Sequence, residues 1–345
     1  MDATSSELLD HWILPLFDLC ERMRGAARGA LLAARRSGDF SSVAREVGQG
    51  AGDTSYGLDR ATETALTEWF HEVARVQPLS LLSEETGWRH LGPGPDGVRQ
   101  LAGFDHGGPR IVVDPVDGTR NLMTDLRPAW SVVGLAGPGA GIPRQREVLF
   151  GLLSEIPDTR AASYRRLSAT RGAACHFEER TFFKGGPIVK PLNLGTGTDD
   201  RADHGYFPFF KYMADMRPQI AQIEARFLER LERELGADPR NCWDDQYICN
   251  GGQLALLSLG TYRMLADLRA FLAQRRGKPT LTTKPYDICG ALVCARAAGC
   301  VVTAVDGSEL DFPLDVSTPV SWVGWVNEAT RARLAPHLAA AIAAS

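Results

Sequence analysis

The stretch RIVVDPVDGTRNL, residues 110–122, brings two carboxylates, Asp114 and Asp117, directly after a run of β-branched residues. An apolar run bounded by turn residues predicts a strand that is buried on both faces. Ionised carboxylates at the end of such a strand cost free energy unless a cation meets them. A metal ion would supply that cation.

The acidic residues around this strand have the spacing that a hard divalent cation needs. Mg2+ prefers oxygen ligands, and it usually keeps water and substrate phosphate in its shell. Asp114 and Asp117 flank a predicted turn that contains a proline, so both can face one cavity with the Val116 carbonyl oxygen between them. Glu84 and Glu85 end a second predicted strand, and a glutamate there can complete the first site. Two ions could then share Asp114.

Gly118 and Thr119 follow the acidic pair and open a predicted helix or turn. Free N–H groups and the positive end of a helix dipole at such a position can receive a phosphate. Carboxylates, metal ions and amide donors in one place are typical of phosphate ester chemistry. Taken alone, D-P-x-D-G-T also fits a capped loop, because its residues are turn formers.

The composition of the chain argues against several other classes of protein. The chain has 345 residues and a formal net charge of -4, and its Lys and Arg residues are scattered, so we expect a small-molecule partner and neither nucleic acid nor a membrane. Seven cysteines at irregular gaps indicate reduced thiols, and no HxxxH spacing offers a competing soft-metal site. The polar, acidic start differs from a signal peptide, so we expect a soluble cytoplasmic protein.

The N-terminal half predicts two amphipathic helices and a series of strands. The helices are expected at residues 6–36, with a bend at Pro15, and at 58–76. Glycine and proline content predicts loops at 48–57 and 92–109. Strands are expected at 79–87 and 110–114, followed by an antiparallel meander at 130–136, 147–155 and 161–167.

The C-terminal half alternates strand-like and helical pieces. Strands are expected at 188–194, 246–252, 262–269 and 300–307, and helices at 218–235, 252–260 and 287–298. The sequence therefore predicts an α+β half at 1–165 and an α/β half at 166–345, with an enlarged helical segment at about 195–245.

Three motifs resemble the lithium-sensitive, magnesium-dependent sugar phosphatases, that is, inositol monophosphatase and its fructose-1,6-bisphosphatase relatives. VVDPVDGTRNL is similar to that family's D-P-[IV]-D-G-[TS]-x-N-F motif, and LLSEETG to its acidic strand-end motif. KPYDICGALVCARAAGC, residues 284–300, is similar to its C-terminal motif. Residues 52–66 and 306–315 look most like the archaeal dual-specificity members. The resemblance covers roughly 10–190 and 245–330, and it implies a layered αβαβα sandwich and a homodimer.

The resemblance also implies roles for individual residues. It assigns two or three Mg2+ ions, with Mn2+ as a possible substitute. Glu84, Asp114 and the Val116 carbonyl would hold the first ion; Asp114, Asp117 and Asp287 the second; Asp53 and Glu85 would be outer or third-ion ligands, and Glu85 is also a candidate catalytic residue. Thr119, hydrogen-bonded to Asp59, would activate the attacking water. Substrate contacts are expected from Gly118, Thr119, Asp267, Arg269, Lys211 and Arg217.

These residues predict a phosphoric monoester hydrolase acting on a sugar or polyol phosphate, without a phosphoenzyme. Fructose-1,6-bisphosphatase, 3'(2'),5'-bisphosphate nucleotidase and histidinol-phosphatase activities are alternatives on the same metal core, and a catalytically inactive scaffold is the alternative from another class. Tyr286 stands where the family usually has Trp, and Arg296 where it has Glu. These departures bear on specificity, because neither removes a metal ligand.

The segment 195–245 has no counterpart in the motifs. Apolar residues at three- and four-residue steps predict an amphipathic helix at 218–235, closed by Gly236. One interpretation is an enlarged helix that packs on the C-terminal sheet. The other is that the aromatic loop before it closes over the metal site, with Lys211 or Arg217 pairing with a second phosphate or carboxylate.

Overall fold

The computed structural model describes residues 3–182, 190–191 and 197–345. The helices are α1 (Ala3–Ser37), α2 (Ser41–Ala44), α3 (Gly57–Ala74), α4 (Thr119–Leu122), α5 (Arg217–Leu235), α6 (Asn250–Ser258), α7 (Arg269–Arg276), α8 (Pro285–Ala297) and α9 (Glu328–Ala343). The strands are β1 (Glu46–Gln49), β2 (Thr54–Tyr56), β3 (Leu79–Ser83), β4 (Gly87–Gly94), β5 (Gly97–Gln100), β6 (Arg110–Asp117), β7 (Ala129–Ala136), β8 (Val148–Ile156), β9 (Ser163–Thr170), β10 (His176–Thr181), β11 (Lys190–Pro191), β12 (Gly205–Tyr206), β13 (Cys242–Trp243), β14 (Met264–Asp267), β15 (Val301–Thr303) and β16 (Trp322–Trp325).

Five layers stack on one another. The large sheet has the strand order β11-β10-β9-β8-β7-β6-β3-β4-β5, and a smaller sheet has the order β14-β16-β15. Helices α1 and α3 cover one face of the large sheet, and α6 and α8 lie between the two sheets. Helices α5 and α9 cover the far face of the small sheet. This arrangement confirms the predicted αβαβα sandwich.

Strand β6 is buried along its whole length, as its apolar run predicts. Ile111 and Val113 pack in the core beneath α1 and α3, whereas Val112 packs in the core shared with α8. Alternate residues thus face opposite layers, which is the period-two geometry of a central strand.

The parallel pairing of β3 and β6 brings the acidic residues together. Ser83 pairs with Val113 in this ladder, so Glu84 and Asp114 follow at the same edge of the sheet. Both strands point their carboxyl ends to that edge, because the pair is parallel. The prediction that the glutamates end a neighbouring strand is therefore confirmed.

The predicted turn between Asp114 and Asp117 is a β-bulge within β6. Pairing to β7 shifts register between these two residues while the strand continues. The Asp114 carboxylate accepts a hydrogen bond from the Val116 N–H at 3.0 Å, and Ser131 Oγ donates to the Pro115 carbonyl at 2.8 Å. These bonds satisfy the backbone at the bulge, so the chain does not need to leave the sheet.

Three other local predictions differ from the structure. The segment 92–109, predicted as a loop, contains the end of β4 and all of β5, whose hairpin turns at Gly97 with φ of 113°. The glycine-rich segment 48–57 includes the β1–β2 hairpin. Residues 246–252 form no strand; helix α6 begins there, and Cys249 Sγ accepts the Gly252 N–H at its start. In each case cross-strand or capping bonds outweigh local composition.

The long helices and the meander agree with the predictions. Helix α1 is continuous through Pro15, and α3, α5 and α8 lie within a few residues of their expected positions. The expected strand at 188–194 falls mostly outside the described residues. Strand β9 pairs with β8 and β10 pairs with β9 beyond residue 165, so the large sheet extends past the expected boundary between the halves. The two-domain division stays a prediction.

Helix α8 lies unusually close to the large sheet. A Cβ atom built on Gly290 would sit 2.0 Å from the Val133 carbonyl oxygen, and one on Gly151 would sit 2.1 Å from the Gly290 carbonyl oxygen. No side chain fits in either gap. The two glycines therefore set the distance between α8 and the large sheet, and with it the position of Asp287 near the end of β6.

We expect Gly290→Ala to lower the free energy of unfolding by about 3 kcal/mol, because the added methyl group must push α8 away from β7. Thermal unfolding followed by circular dichroism measures the change. Gly25→Ala is the matched control: a Cβ there has no atom within 4 Å, so alanine should be neutral or stabilising by up to about 1 kcal/mol. A Gly290→Ala protein as stable as wild type would contradict the close packing of α8.

Candidate active site

An acidic cavity opens at the edge of the large sheet where β3 and β6 end. We call it the acidic cavity after the six carboxylates that line it. They are Asp53, Asp59, Glu84, Asp114, Asp117 and Asp287. The structure thus brings together the acidic residues that the sequence assigned to metal binding and catalysis, with the exception of Glu85.

Four different elements supply five of these carboxylates, and the sixth, Asp53, lies between β1 and β2. Glu84 follows β3, while Asp114 and Asp117 come from β6 on either side of the bulge. Asp287 lies in the first turn of α8, where its carboxylate accepts the Lys284 N–H at 2.8 Å. Asp59 occupies the same position in α3, where it accepts the Tyr56 N–H at 2.8 Å. Two helix N-termini therefore face the ends of two strands.

Removal from water and mutual repulsion raise the pKa values of these groups. Burial raises the pKa of Glu84, Asp114 and Asp287 well above the usual range, and neighbouring carboxylates add to the effect. Burial also raises the pKa of Asp117 to about 6, although the Gly251 N–H, which donates to its carboxylate, acts in the opposite direction. The cavity therefore favours any species that brings positive charge.

The donor set fits a hard cation. Carboxylate oxygens and the Val116 carbonyl line the cavity together, and oxygen ligands of this kind are the ones that Mg2+ prefers. Across the described residues, however, no group of three or more His, Cys, Asp and Glu side chains is arranged to hold a metal ion as it stands.

A hydroxyl and a carboxylate are coupled at the wall of the cavity. Thr119 Oγ1 lies 2.8 Å from Asp59 Oδ1 and 2.8 Å from the Val116 carbonyl oxygen. Burial raises the pKa of Asp59 to about 6. The predicted Thr119–Asp59 hydrogen bond is therefore present, and the pair has the geometry of a general base acting through a hydroxyl.

Gly118 allows the chain to turn into α4 directly after the bulge. Its φ is 99°, in the left-handed region that favours glycine. A Cβ atom there would also sit 3.0 Å from Cβ of Cys249. Both constraints exclude a larger residue, so the glycine fixes where Thr119 enters the cavity.

Asp267 lies behind the cavity and does not line it in the described structure. Its two carboxylate oxygens accept from Arg269 Nε at 2.9 Å and from an Arg269 terminal nitrogen at 2.7 Å, and Thr283 Oγ1 donates to it at 2.6 Å. Both charged side chains are buried. Asp267 therefore holds Arg269, which does line the cavity, and the predicted direct contact of Asp267 with substrate has no support in this geometry.

Lys211 and Arg217 also lie outside the cavity lining. Lys211 Nζ pairs with Glu224 at 2.9 Å and with Asp244 at 2.7 Å. Arg217 donates to the Lys211 and Tyr212 carbonyl oxygens. The two cations stabilise the loop before α5, because Lys211 forms ion pairs there and Arg217 hydrogen-bonds to its backbone.

Aromatic side chains of that loop do reach the cavity. Phe210 and Tyr212 line it, and their rings make an edge contact with centroids 4.8 Å apart. The Arg269 guanidinium lies 4.2 Å from the Phe210 ring centre. The loop thus contributes aromatic rings to the cavity, whereas helix α5 packs its apolar side chains against the small sheet.

Glu85 points away from the acidic cavity and accepts a hydrogen bond from Ser55 Oγ in β2. Asp53, its partner in the predicted outer set, does line the cavity and pairs with Arg120 at 3.2 Å. Asp53 lies between β1 and β2, whereas Glu85 lines a separate pocket beside these strands and α3. Glu85 as a catalytic residue thus has no support in this arrangement.

Among the cavity-lining residues that the sequence did not assign to the site, four make contacts or substitutions of note. Arg120 lies inside the D-P-x-D-G-T-x-N motif at a position that the motif leaves open, so the pattern gave no signal. Tyr286 stands out only as a departure from the family pattern. Asn250 and Cys249 begin α6, where Asn250 donates to Asp287 at 3.2 Å and Cys249 Sγ donates to Asp117 at 3.3 Å. These contacts join segments far apart in sequence.

We expect Glu84→Gln to stabilise the metal-free protein at pH 8. The raised pKa of Glu84 means that its contribution to stability is complete below the unfolded value of 4.5 and is lost as the pH rises through the folded value. The neutral amide avoids that loss, so the variant should gain at least about 1 kcal/mol at pH 8 and nothing at pH 4. Thermal unfolding in EDTA at both pH values measures this.

Glu68→Gln, at an exposed position of α3, is the control and should unfold like wild type at both pH values. Adding MgCl2 at pH 8 should raise the unfolding temperature of wild type more than that of Glu84→Gln. A Glu84→Gln protein less stable than wild type at pH 8 in EDTA would show that the carboxylate is not repelled by its neighbours.

Comparison with known proteins finds similarity in structure only. No protein-family model matches the chain, and no curated protein matches it in sequence. A fructose-1,6-bisphosphatase from Leishmania major superposes with a TM-score of 0.66 at 10% identity, covering 99% of this chain and 96% of that one. A Pyrococcus horikoshii protein described as similar to inositol-1 monophosphatase gives a TM-score of 0.62 at 14% identity, covering 96% of this chain and 98% of that one.

A Staphylococcus aureus inositol monophosphatase gives a TM-score of 0.56 at 16% identity and covers 97% of both chains. Identities this low establish a shared fold over nearly the full length and leave activity open. Within the described residues, no helix is long and apolar enough to cross a membrane. The family that the sequence motifs resemble is therefore the one whose fold this chain adopts: it has the fold of the inositol monophosphatase and fructose-1,6-bisphosphatase proteins.

Proposed function

We propose that this protein is a Mg2+-dependent phosphomonoesterase that hydrolyses a sugar or polyol phosphate. The observation that carries the proposal is the Thr119–Asp59 hydrogen bond at the wall of a cavity lined by six carboxylates. The motifs and the shared fold support it. A hydroxyl held by a carboxylate can activate water, and a carboxylate-lined cavity needs the cations that phosphate ester hydrolysis uses.

In this proposal Glu84, Asp114 and the Val116 carbonyl hold one Mg2+, and Asp114, Asp117 and Asp287 hold a second. Asp53 is available to a third ion, and Mn2+ is a possible substitute. When bound, the ions supply positive charge that stabilises the attacking and leaving oxygens of an in-line displacement.

The residues of the chain handle the proton and the geometry. Thr119 Oγ1 accepts a proton from the attacking water while its own proton passes to Asp59 Oδ1, and the Tyr56 N–H holds Asp59 in place. Gly118 fixes the approach of Thr119. Phe210 and Tyr212 cover one side of the cavity and exclude bulk water from the reacting phosphate.

An inactive scaffold protein is the alternative from a different class. Such a protein has no need to keep like-charged carboxylates buried at the end of a strand, where they oppose folding. Asp114 is 1% exposed and Asp117 7% exposed, so both carry that cost. The cost supports an enzyme. Phosphate release from a panel of inositol, fructose and nucleotide phosphates with MgCl2 tests the function and separates the substrate alternatives.

Several further properties stay predictions of the resemblance. They are inhibition by Li+, a homodimeric assembly and a cytoplasmic location.

We expect Asp114→Asn to lower kcat by at least about 10^3-fold, because this carboxylate is shared by both ions. The assay is phosphate release at saturating MgCl2. Asp96→Asn, in the exposed turn between β4 and β5, is the control and should keep wild-type activity. Near-normal turnover of Asp114→Asn would contradict the two-ion proposal.

Replacing the hydroxyl tests the proton path separately. Thr119→Val keeps the shape of the side chain and should lower kcat by about 10^2- to 10^4-fold, whereas Thr119→Ser should keep most of the activity. Steady-state kinetics of both variants at saturating MgCl2 give the comparison. Equal losses in Val and Ser variants would mean that the residue acts by packing, and no loss in either would remove Thr119 from the mechanism.

A further inference from the structure

Three cationic side chains line the acidic cavity: Arg120, Arg269 and Lys284. A phosphorylated substrate with a second anionic group needs a cation whose hydrogen-bond donors are available. The partners of each cation therefore decide which of the three can serve. Lys211 and Arg217, the candidates from sequence, lie outside the cavity lining, where Lys211 pairs with Glu224 and Arg217 donates to backbone carbonyl oxygens.

Arg269 has no donor to spare. Its Nε and one terminal nitrogen bind Asp267, and that same nitrogen donates to Thr283 Oγ1 at 3.1 Å. The other terminal nitrogen donates to the Tyr212 hydroxyl at 3.1 Å and to the Leu281 carbonyl at 3.0 Å. All five N–H groups of the guanidinium are thus used. Arg269 holds the wall of the cavity and does not bind a ligand.

Lys284 is directed toward the outer rim. Its Nζ donates to the Ser317 carbonyl at 2.9 Å, at an exposed position. The side chain also lines a neighbouring groove along α7. Its charge is a compact, strongly hydrated point, which contributes less to fixed recognition than a planar guanidinium does.

Arg120 differs from both. One terminal nitrogen pairs with Asp53 at 3.2 Å, and the structure gives its guanidinium no other hydrogen bond among the described residues. The side chain is 32% exposed, and its guanidinium lies 5.7 Å from the Tyr56 ring centre. It follows Thr119 directly in the chain. Arg120 thus faces the cavity beside the proposed catalytic hydroxyl with most of its donors available.

We propose that Arg120 binds a second anionic group of the substrate, a phosphate or a carboxylate, and so selects substrates that carry one. This inference rests on the proposed phosphatase function and specifies its substrate class. The guanidinium presents parallel N–H groups that match the oxygens of either anion. Asp53 keeps the side chain oriented and neutralises its charge when no such ligand is bound.

The test compares Arg120→Gln with wild type on three substrates. Fructose 1,6-bisphosphate has two phosphates, 2-phosphoglycerate has a phosphate and a carboxylate, and glycerol 2-phosphate has one phosphate as its sole anionic group. We expect kcat/KM for the bisphosphate to fall about tenfold to a hundredfold more than that for glycerol 2-phosphate. A matching fall for 2-phosphoglycerate shows that any second anion is recognised; a fall limited to the bisphosphate shows that the group is a phosphate. Both results support the proposal.

Arg60→Gln removes the same charge from an exposed position of α3 outside the cavity lining and should leave the substrate ratio unchanged. An equal loss of kcat/KM on all three substrates in Arg120→Gln would overturn the proposal. So would a lower ratio of kcat/KM for the bisphosphate to that for glycerol 2-phosphate in Lys284→Gln, if Arg120→Gln kept the wild-type ratio.

Failure of the proposed function gives a different result. In that case wild type releases phosphate from none of the substrates. Calorimetric binding of fructose 1,6-bisphosphate and glycerol 2-phosphate to wild type and Arg120→Gln then tests Arg120 by itself. Binding of the bisphosphate that is equal in the two proteins, or absent from both, overturns the role of Arg120.

Discussion

The confinement of like-charged carboxylates at the end of a parallel strand pair is the constraint on which the rest of the structure depends. Strands β3 and β6 deliver Glu84 and Asp114 to one edge because their ladder is parallel and in register. The bulge then adds Asp117 without ending the strand. Repulsion among these groups opposes folding, so the surrounding layers must hold them in place until a cation arrives.

The layers provide that support through close backbone contact. Helix α8 approaches β7 and β8 at Gly290 and Gly151, where no side chain intervenes, and so carries Asp287 to the ends of the strands. Asn250 at the start of α6 donates to the Asp287 carboxylate, and its side-chain oxygen lies 2.8 Å from Thr283 Oγ1. The helices between the two sheets thus position the site as well as fill the core.

The motifs in the sequence predicted the part of the site that local spacing encodes. Asp114, Asp117, Thr119 and the Asp59 hydrogen bond follow from short segments whose strand and helix periods are clear. Contacts that join distant segments could not be read in this way. Arg120, for example, is oriented by its ion pair with Asp53. Asp267 lies outside the cavity lining because its carboxylate accepts hydrogen bonds from Arg269 and Thr283. The β4–β5 hairpin was missed because its pairing outweighs the turn-forming composition of the segment.

The edge position of that hairpin has a consequence for how the chain tolerates changes of length. Strand β5 lies at one end of the large sheet, and the tip between β4 and β5 is exposed, so inserted or deleted residues there leave the neighbouring ladder intact. The ladder of residues 80–83 with 110–113 has no such freedom. A shift of one residue would turn every second side chain to the opposite layer and carry Glu84 away from Asp114. Variation in length among relatives of this protein is therefore expected to collect at the hairpin tip, while the spacing within each of these two strands stays constant.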